Sequence, residues 1–270
     1  MMRSLWTAAS GMRGQQLNVD TISNNISNVN TTGYKKERLE FKSLLYQTME
    51  RASLDAADTG KPVNLQVGLG VKPVATSRMF TTGNLQRTEN NLDFAIEGDG
   101  FFMIQTGEDE VSYTRDGSFK ISTNEGENTL VTSEGYYVLD TNGDPIVLPA
   151  EVAIKDMSIS SNGTITYLID GEIEDTGIQM GLVQFSNPQG LEAIGGNLYS
   201  VTTASGEPIL EADGEVSNTS SIVQGYLEMS NVNIAEEMVN LIVAQRAYEL
   251  NSKAITTSDE MLQQANNLKK

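Results

Sequence analysis

Residues 5–29 read LWTAASGMRGQQLNVDTISNNISNV. Small or apolar side chains recur at alternating spacings of three and four: Leu5, Ala8, Met12, Val19, Ile22, Ile26 and Val29, with Gln15 the one polar member of the series. Leu5, Met12, Val19 and Ile26 form one row at seven-residue intervals, and Ala8, Gln15, Ile22 and Val29 form another. This is the a/d pattern of a coiled-coil helix. At 1.5 Å per residue the helix would run roughly 37 Å, longer than a small domain needs, so it calls for a partner.

A matching pattern stands at the other end of the chain. Ile234, Leu241, Tyr248, Ile255 and Leu262 repeat as apolar a-type positions, while the intervening row reads Met238, Gln245, Ser252, Asp259 and Asn266. A half-polar seam costs stability and fixes register. The start of this helix is marked by Asn233 as a cap and Glu236 three residues on, the spacing of a capping box, with Glu237 also in the first turn where the helix dipole favours acids.

Between the ends the period changes. All six prolines fall between Pro62 and Pro208, and no glycine follows Gly225. Short runs such as Phe94-Ala95-Ile96, Phe101-Phe102-Met103-Ile104, Tyr136-Tyr137-Val138-Leu139 and Leu182-Val183-Gln184-Phe185 alternate with turn pairs, including Asp116-Gly117, Asn142-Gly143, Asn162-Gly163 and Asp170-Gly171. Such spacing predicts an antiparallel β domain. The expected fold class is α+β, with long N- and C-terminal helices packed as a coiled-coil-like core around an inserted β-rich domain. Its expected segments are a helical core piece over 1–51, an extended connector over 52–93, an outer β domain over 94–227 and the C-terminal helical piece over 228–270. Within the first piece, Lys35–Arg51 is expected as a shorter helix, although Tyr34 and Phe41 also permit extended backbone. The polar, acidic stretch Ala52–Lys61 reads as a connecting loop.

Composition narrows the function. The 270 residues contain no Cys and no His, which excludes thiolate chemistry and removes the usual general base and commonest metal ligand. The net charge of −18 is uneven: residues 1–51 carry +3, residues 52–229 carry −20 and residues 230–270 carry −1. A strongly acidic middle disfavours nucleic acid and anionic membrane surfaces. No run has the length of a transmembrane span, and the N-terminus lacks the features of a cleavable secretory signal. Gly68-Leu69-Gly70 and Gly98-Asp99-Gly100 lack the continuation of a nucleotide-binding loop. Asp140-Thr141-Asn142-Gly143-Asp144 spaces its oxygens like a calcium loop but places Pro145 where that loop needs glycine. No catalytic, cofactor-binding or metal-binding residues are assigned.

Three longer motifs remain. They are Ser23-Asn24-Asn25-Ile26-Ser27-Asn28-Val29-Asn30-Thr31-Thr32-Gly33-Tyr34-Lys35, then Asp93–Phe102 with Tyr113-Thr114-Arg115-Asp116-Gly117-Ser118-Phe119, then Glu236–Asn240 with Gln245–Ile255. In that order they resemble the signatures of the flagellar basal-body rod and hook protein family. Leu44–Thr48 and Gly68–Thr76 resemble its distal rod branch, with a proximal rod or hook-type subunit as the alternative. A reading from another class is a secreted hydrolase or calcium-binding surface protein with coiled-coil arms.

The resemblance implies a non-enzymatic axial subunit that self-assembles into a helical tube and transmits torque from motor to hook. It also implies export from the cytoplasm through the flagellar type III apparatus without a cleavable signal. The implied partners are further copies of itself, other rod subunits and the hook, surrounding ring proteins and the export apparatus. Nucleic acid and stable membrane insertion are not among them, and no cofactor is implied. Leu5, Met12, Val19, Ile22, Ile26, Leu241, Tyr248, Ile255 and Leu262 are the expected assembly seam, and Asn24, Asn25, Asn28 and Arg246 the expected polar contacts between subunits.

Overall fold

The computed structural model describes residues 2–50, 63–107, 110–124, 127–149, 157–169, 172–214 and 218–268. The connector expected at Ala52–Lys61 and the Asp170-Gly171 turn lie outside the described residues. The chain divides into two compact units, one of Met1–Ser27, Glu37–Ser77 and Asn233–Lys270, the other of Asn28–Lys36 and Arg78–Val232.

The first unit holds helices α1 (Met2–Ser27) and α2 (Ile234–Asn267) and strands β1 (Glu37–Ser43), β2 (Tyr46–Glu50), β3 (Leu65–Gly68) and β4 (Val71–Arg78). The helices run antiparallel: Ser4 Oγ lies 3.2 Å from Ser258 Oγ near one end, and Asn25 Nδ2 lies 3.1 Å from Glu237 Oε2 near the other. β1 pairs with β4, and β2 pairs antiparallel with β3, Tyr46 opposite Gly68.

The helix expected over Lys35–Arg51 is therefore replaced by two strands. Two pairings outweigh local helix preference, which is weak against tertiary contacts. The Asn25 side chain grips the backbone of Glu37 as a neighbouring strand would, donating to its carbonyl at 2.8 Å and accepting from its N–H at 2.9 Å. Farther along, Leu44 N–H donates to the Gly70 carbonyl at 2.8 Å. Gly14 lets this ribbon lie close to α1, since a Cβ there would sit 3.0 Å from Phe41 Cε1.

The second unit is β-rich. Its largest sheet has ten strands among the described residues. The main path runs Val147–Leu148, Glu127–Val131, Tyr137–Val138, Phe101–Gln105, Val111–Thr114, Leu198–Ser200, Glu192–Gly195. Phe101–Gln105 and Val111–Thr114 pair antiparallel with Phe102 opposite Thr114. Met157–Ile159, Thr164–Ile169 and Glu172–Gln179 form a separate three-stranded sheet, and Phe94–Glu97 pairs with Ser221–Gln224.

Successive side chains on a strand point to opposite faces, and Phe101 and Phe102 show the result. Phe102 joins the main core with Phe94, Ile96, Ile104, Leu130, Ile165 and Met180. Phe101 joins a second core with Tyr113, Val183, Phe185 and Tyr199. Edge-to-face ring contacts fix both cores: Phe102–Phe119 at 5.2 Å between centroids and Tyr113–Phe185 at 4.9 Å, a geometry that the ring quadrupoles favour.

Candidate assembly surface

Local sequence sets the start of α2. Asn233 Oδ1 accepts from the N–H groups of Ala235 at 3.0 Å and Glu236 at 3.5 Å, satisfying donors that the first helical turn leaves unpaired. Along the pair, Ala8 and Ile22 are buried, and Leu5, Met12, Val19 and Ile26 are half-buried. On α2, Leu241, Ile255 and Leu262 are half-buried and Tyr248 is 42% exposed.

The second row of α2 differs from the expected one. Met238, Gln245, Asp259 and Asn266 are exposed and Ser252 is half-buried, whereas Glu237, Ala244 and Ser258 are buried. Both rows satisfy a heptad count, so periodicity does not separate them. Close approach does. Ser258 meets Ser4, Glu237 meets Asn25, and Asn251 lies against Gly11, where a Cβ would come within 2.9 Å of its Nδ2. This intramolecular seam is small and polar, so the larger apolar side chains are left elsewhere.

Of the expected polar contacts between subunits, Asn25 is corrected. It is 1% exposed and is engaged inside the chain by Glu37 and Glu237. Asn24 is exposed. Asn28 Oδ1 accepts from Thr31 Oγ1 at 3.2 Å. Arg246 is exposed and pairs with Glu249 at 2.8 Å one turn away.

The outward side of α2, by contrast, carries a run of large apolar side chains. Ile234, Met238, Val239, Ile242, Val243 and Leu250 are each between 47% and 68% exposed. A contiguous exposed apolar patch of this kind marks a surface that a partner covers. Trp6 of α1 and Leu45, Tyr46, Met49 and Leu65 of the ribbons are exposed too. Where Val19 and Tyr248 leave the seam open, a gap of about 420 Å³ is lined by Gln16, Val19, Gln245, Tyr248 and Glu249.

A different arrangement organises the second unit. Lys35, Arg115 and Glu228 are each 1% exposed. Lys35 Nζ donates to Glu228 Oε1 at 2.5 Å and to the Thr81 carbonyl at 2.9 Å. Arg115 Nη1 lies 3.5 Å from Glu228 Oε2, and its Nη2 donates to the Gly98 carbonyl at 2.7 Å. Gly83 N–H also donates to Glu228 Oε1, at 2.8 Å, and Gly33 N–H donates to the Glu228 carbonyl, at 2.8 Å.

Gly33 has φ +67°, and a Cβ there would stand 2.7 Å from Asp116 N, so this position suits glycine alone. The first two motifs thus converge on one carboxylate just upstream of the third. Burial pushes the Lys35 ammonium down to about 8, against the pull of Glu228, with Arg115 adding to the depression. Burial likewise lowers Arg115 while Glu228 opposes it.

Glu228 was not visible as a site in the sequence. Its partner Lys35 lies 193 residues away, and nothing local distinguishes it among 36 acidic residues. Among the described residues no group of three or more acidic, His or Cys side chains is placed to hold a metal. Asp140 instead closes its own turn, accepting from the N–H groups of Asn142 at 2.8 Å and Asp144 at 2.9 Å. No described helix is long and apolar enough to cross a membrane.

Three family models match the chain. Flagella basal body rod protein covers residues 5–35, the flagellar hook protein FlgE/F/G D1 domain covers 95–167, and the flagellar basal body rod FlgEFG protein C-terminal model covers 223–268. Among similar curated proteins is the flagellar basal-body rod protein FlgG of Borreliella burgdorferi, 52% identical over 100% of both chains. The protein of that name from Buchnera aphidicola subsp. Schizaphis graminum is 44% identical over 99% of this chain and 100% of the other. The one from Bacillus subtilis is 42% identical over 100% of both.

Proposed function

The chain belongs to the flagellar basal-body rod protein family of FlgG, and from that premise we propose that it is a structural subunit of the distal rod. It self-assembles into a helical tube and transmits torque from motor to hook. The inner core of the tube falls to the helical unit of Met1–Ser27, Glu37–Ser77 and Asn233–Lys270, and the outer domain to the β-rich unit of Asn28–Lys36 and Arg78–Val232. The subunit assembles with its own copies, other rod proteins and the hook, passes within the surrounding ring proteins, and reaches its place through the type III export apparatus.

One observation carries the assembly reading: α2 is apolar on a face that its own α1 does not cover, with Val239 at 60% and Val243 at 62% exposure. Burying a side chain of this size is favourable by about 1.5–3 kcal/mol, and a row of them supplies a driving force for association. A head-to-tail interface between non-equivalent surfaces builds an open filament where its rotation does not close, and that is the interface we assign to this face. The seam residues Leu5, Met12, Val19, Ile22, Ile26, Leu241, Tyr248, Ile255 and Leu262 hold the helix pair that presents this row, and neighbours complete the burial of those left half-open. Asn24, Asn28 and Arg246 serve as polar contacts between subunits.

The test is electron microscopy of purified Val239→Glu/Val243→Glu protein. The variant is expected to keep its β-unit signals in circular dichroism and form no tubes. Straight tubes at wild-type concentration would overturn the assignment of this face.

A further inference from the structure

Asn-Gly occurs at two places in the chain, Asn142-Gly143 and Asn162-Gly163. The dipeptide is chemically vulnerable because glycine has no side chain to hinder attack by its own backbone nitrogen on the preceding side-chain amide. The two sites are built differently.

At the first, Asn142, Gly143 and Asp144 are all exposed. Gly143 has φ +89°, and nothing lies within 4 Å of where its Cβ would be. The local bonds come from within the turn: Gly143 N–H to the Asp140 carbonyl at 3.2 Å and Asn142 Nδ2 to Asp140 Oδ2 at 3.1 Å.

At the second, Gly163 is buried, with Ile222 Cδ1 3.2 Å from its Cβ position. Its N–H donates to the Ser160 carbonyl at 2.9 Å, and its carbonyl accepts from Met180 N–H at 3.0 Å. Gln179 Nε2 holds the Asn162 carbonyl at 2.6 Å, and Thr164 N–H donates to Asn162 Oδ1 at 3.3 Å. Turning this backbone toward ring closure breaks contacts to a neighbouring strand. Turning the first does not.

We propose that Asn142 is a modification site: it converts spontaneously to aspartate and isoaspartate, and the fold protects Asn162 from the same reaction. The Gly143 nitrogen attacks Asn142 Cγ and gives up its proton, the bond from Cγ to Nδ2 breaks, and ammonia leaves with that proton. The five-membered succinimide so formed takes up water at either carbonyl and opens to aspartate or to isoaspartate. One water is consumed, one ammonia is released, and nothing is oxidised or reduced. The product places a carboxylate where Asn142 Nδ2 had donated to Asp140, so attraction becomes repulsion and the turn loosens. Its extent records the age of a subunit.

Peptide mapping of the full-length protein, held folded at mildly alkaline pH and sampled over time, tests this. Asn142 is expected to convert at least about tenfold faster than Asn162, a barrier difference of about 1.4 kcal/mol, giving both isomers with release of ammonia. In urea the two sites should convert at equal rates, and Gly143→Ala should slow Asn142 alone. Equal rates in the folded protein, a ratio that survives in urea, or an intact Asn142 under conditions where the urea-unfolded chain reacts would each overturn the proposal.

Discussion

The two units solve the same burial problem to different degrees. In the second, Phe94, Phe101, Phe102, Ile104 and Leu130 are wholly buried, and even a Lys, an Arg and a Glu are enclosed around one another. In the first, α1 and α2 meet through Ser4, Gly11, Ser258, Asn25 and Glu237, while Ile242, Val243 and Leu250 face outward. A closed core stabilises a chain by itself. A polar seam with apolar backs stabilises it only when something else arrives, which is what a polymerising subunit requires.

The largest test of this contrast removes one apolar side chain from each unit. Phe102→Ala opens a cavity in a close-packed core and should cost roughly 3–5 kcal/mol, read as a lowered urea midpoint. Val243→Ala takes away a side chain already 62% exposed and should change monomer stability by no more than about 0.5 kcal/mol, while raising the concentration needed for polymer. A comparable loss at both positions would mean that the first unit is closed like the second.

Next in size is the buried ion cluster. Glu228→Gln leaves Lys35 and Arg115 without their counter-charge, and breaking a buried pair from one side costs roughly 3–5 kcal/mol, the lower half being expected because Thr81, Gly98 and Gly83 keep hydrogen bonds in place. The Lys35 titration sharpens the reading. Folded Lys35 titrates at about 8, against 10.5 for the ordinary side chain. Between those values the unfolded chain binds more protons, so this group makes stability rise with pH across that window; below it the cost of burying the charge is fully present. Removing Glu228 should move the Lys35 midpoint lower still, followed by chemical shift at the lysine side chain. A midpoint that stays put would show that Glu228 does not hold the charge.

How far the sequence could be read follows the same division. The β unit was legible because each of its signals is local: Phe94-Ala95-Ile96, Phe101–Ile104 and Leu182–Gln184 all fall on strands, between turns whose glycines could be seen in advance. The helices were legible too, from periodicity. Their facing was not, because Glu237 and Met238 are one residue apart and both satisfy a heptad count, and the choice between them was made by Asn25 across the pair. β1 was missed for the same reason, since its strand pairing comes from β4 and from the Asn25 amide. The sequence Ser-Asn-Val-Asn occurs at residues 27–30 and again at 230–233. In the second occurrence Asn231 accepts from Lys36 N–H at 2.7 Å and donates to the Met79 carbonyl at 2.7 Å, and Asn233 caps α2.

The smallest expected effect discriminates most finely. Arg246 and Glu249 form a pair with side chains 74% and 62% exposed, and such a pair on one helix face contributes about 0.2–0.5 kcal/mol. Arg246→Ala should therefore leave the urea midpoint of the monomer almost unchanged, and whatever change occurs should vanish in high salt, where charges at the surface are screened. If Arg246 also reaches an acidic group on a neighbouring copy, the same substitution weakens polymerisation well beyond that amount, and Arg246→Lys recovers part of the loss by keeping the charge without the guanidinium fork. Equal, small effects on monomer and polymer would confine Arg246 to the surface of its own helix and leave the apolar row from Ile234 to Leu250 to carry association alone.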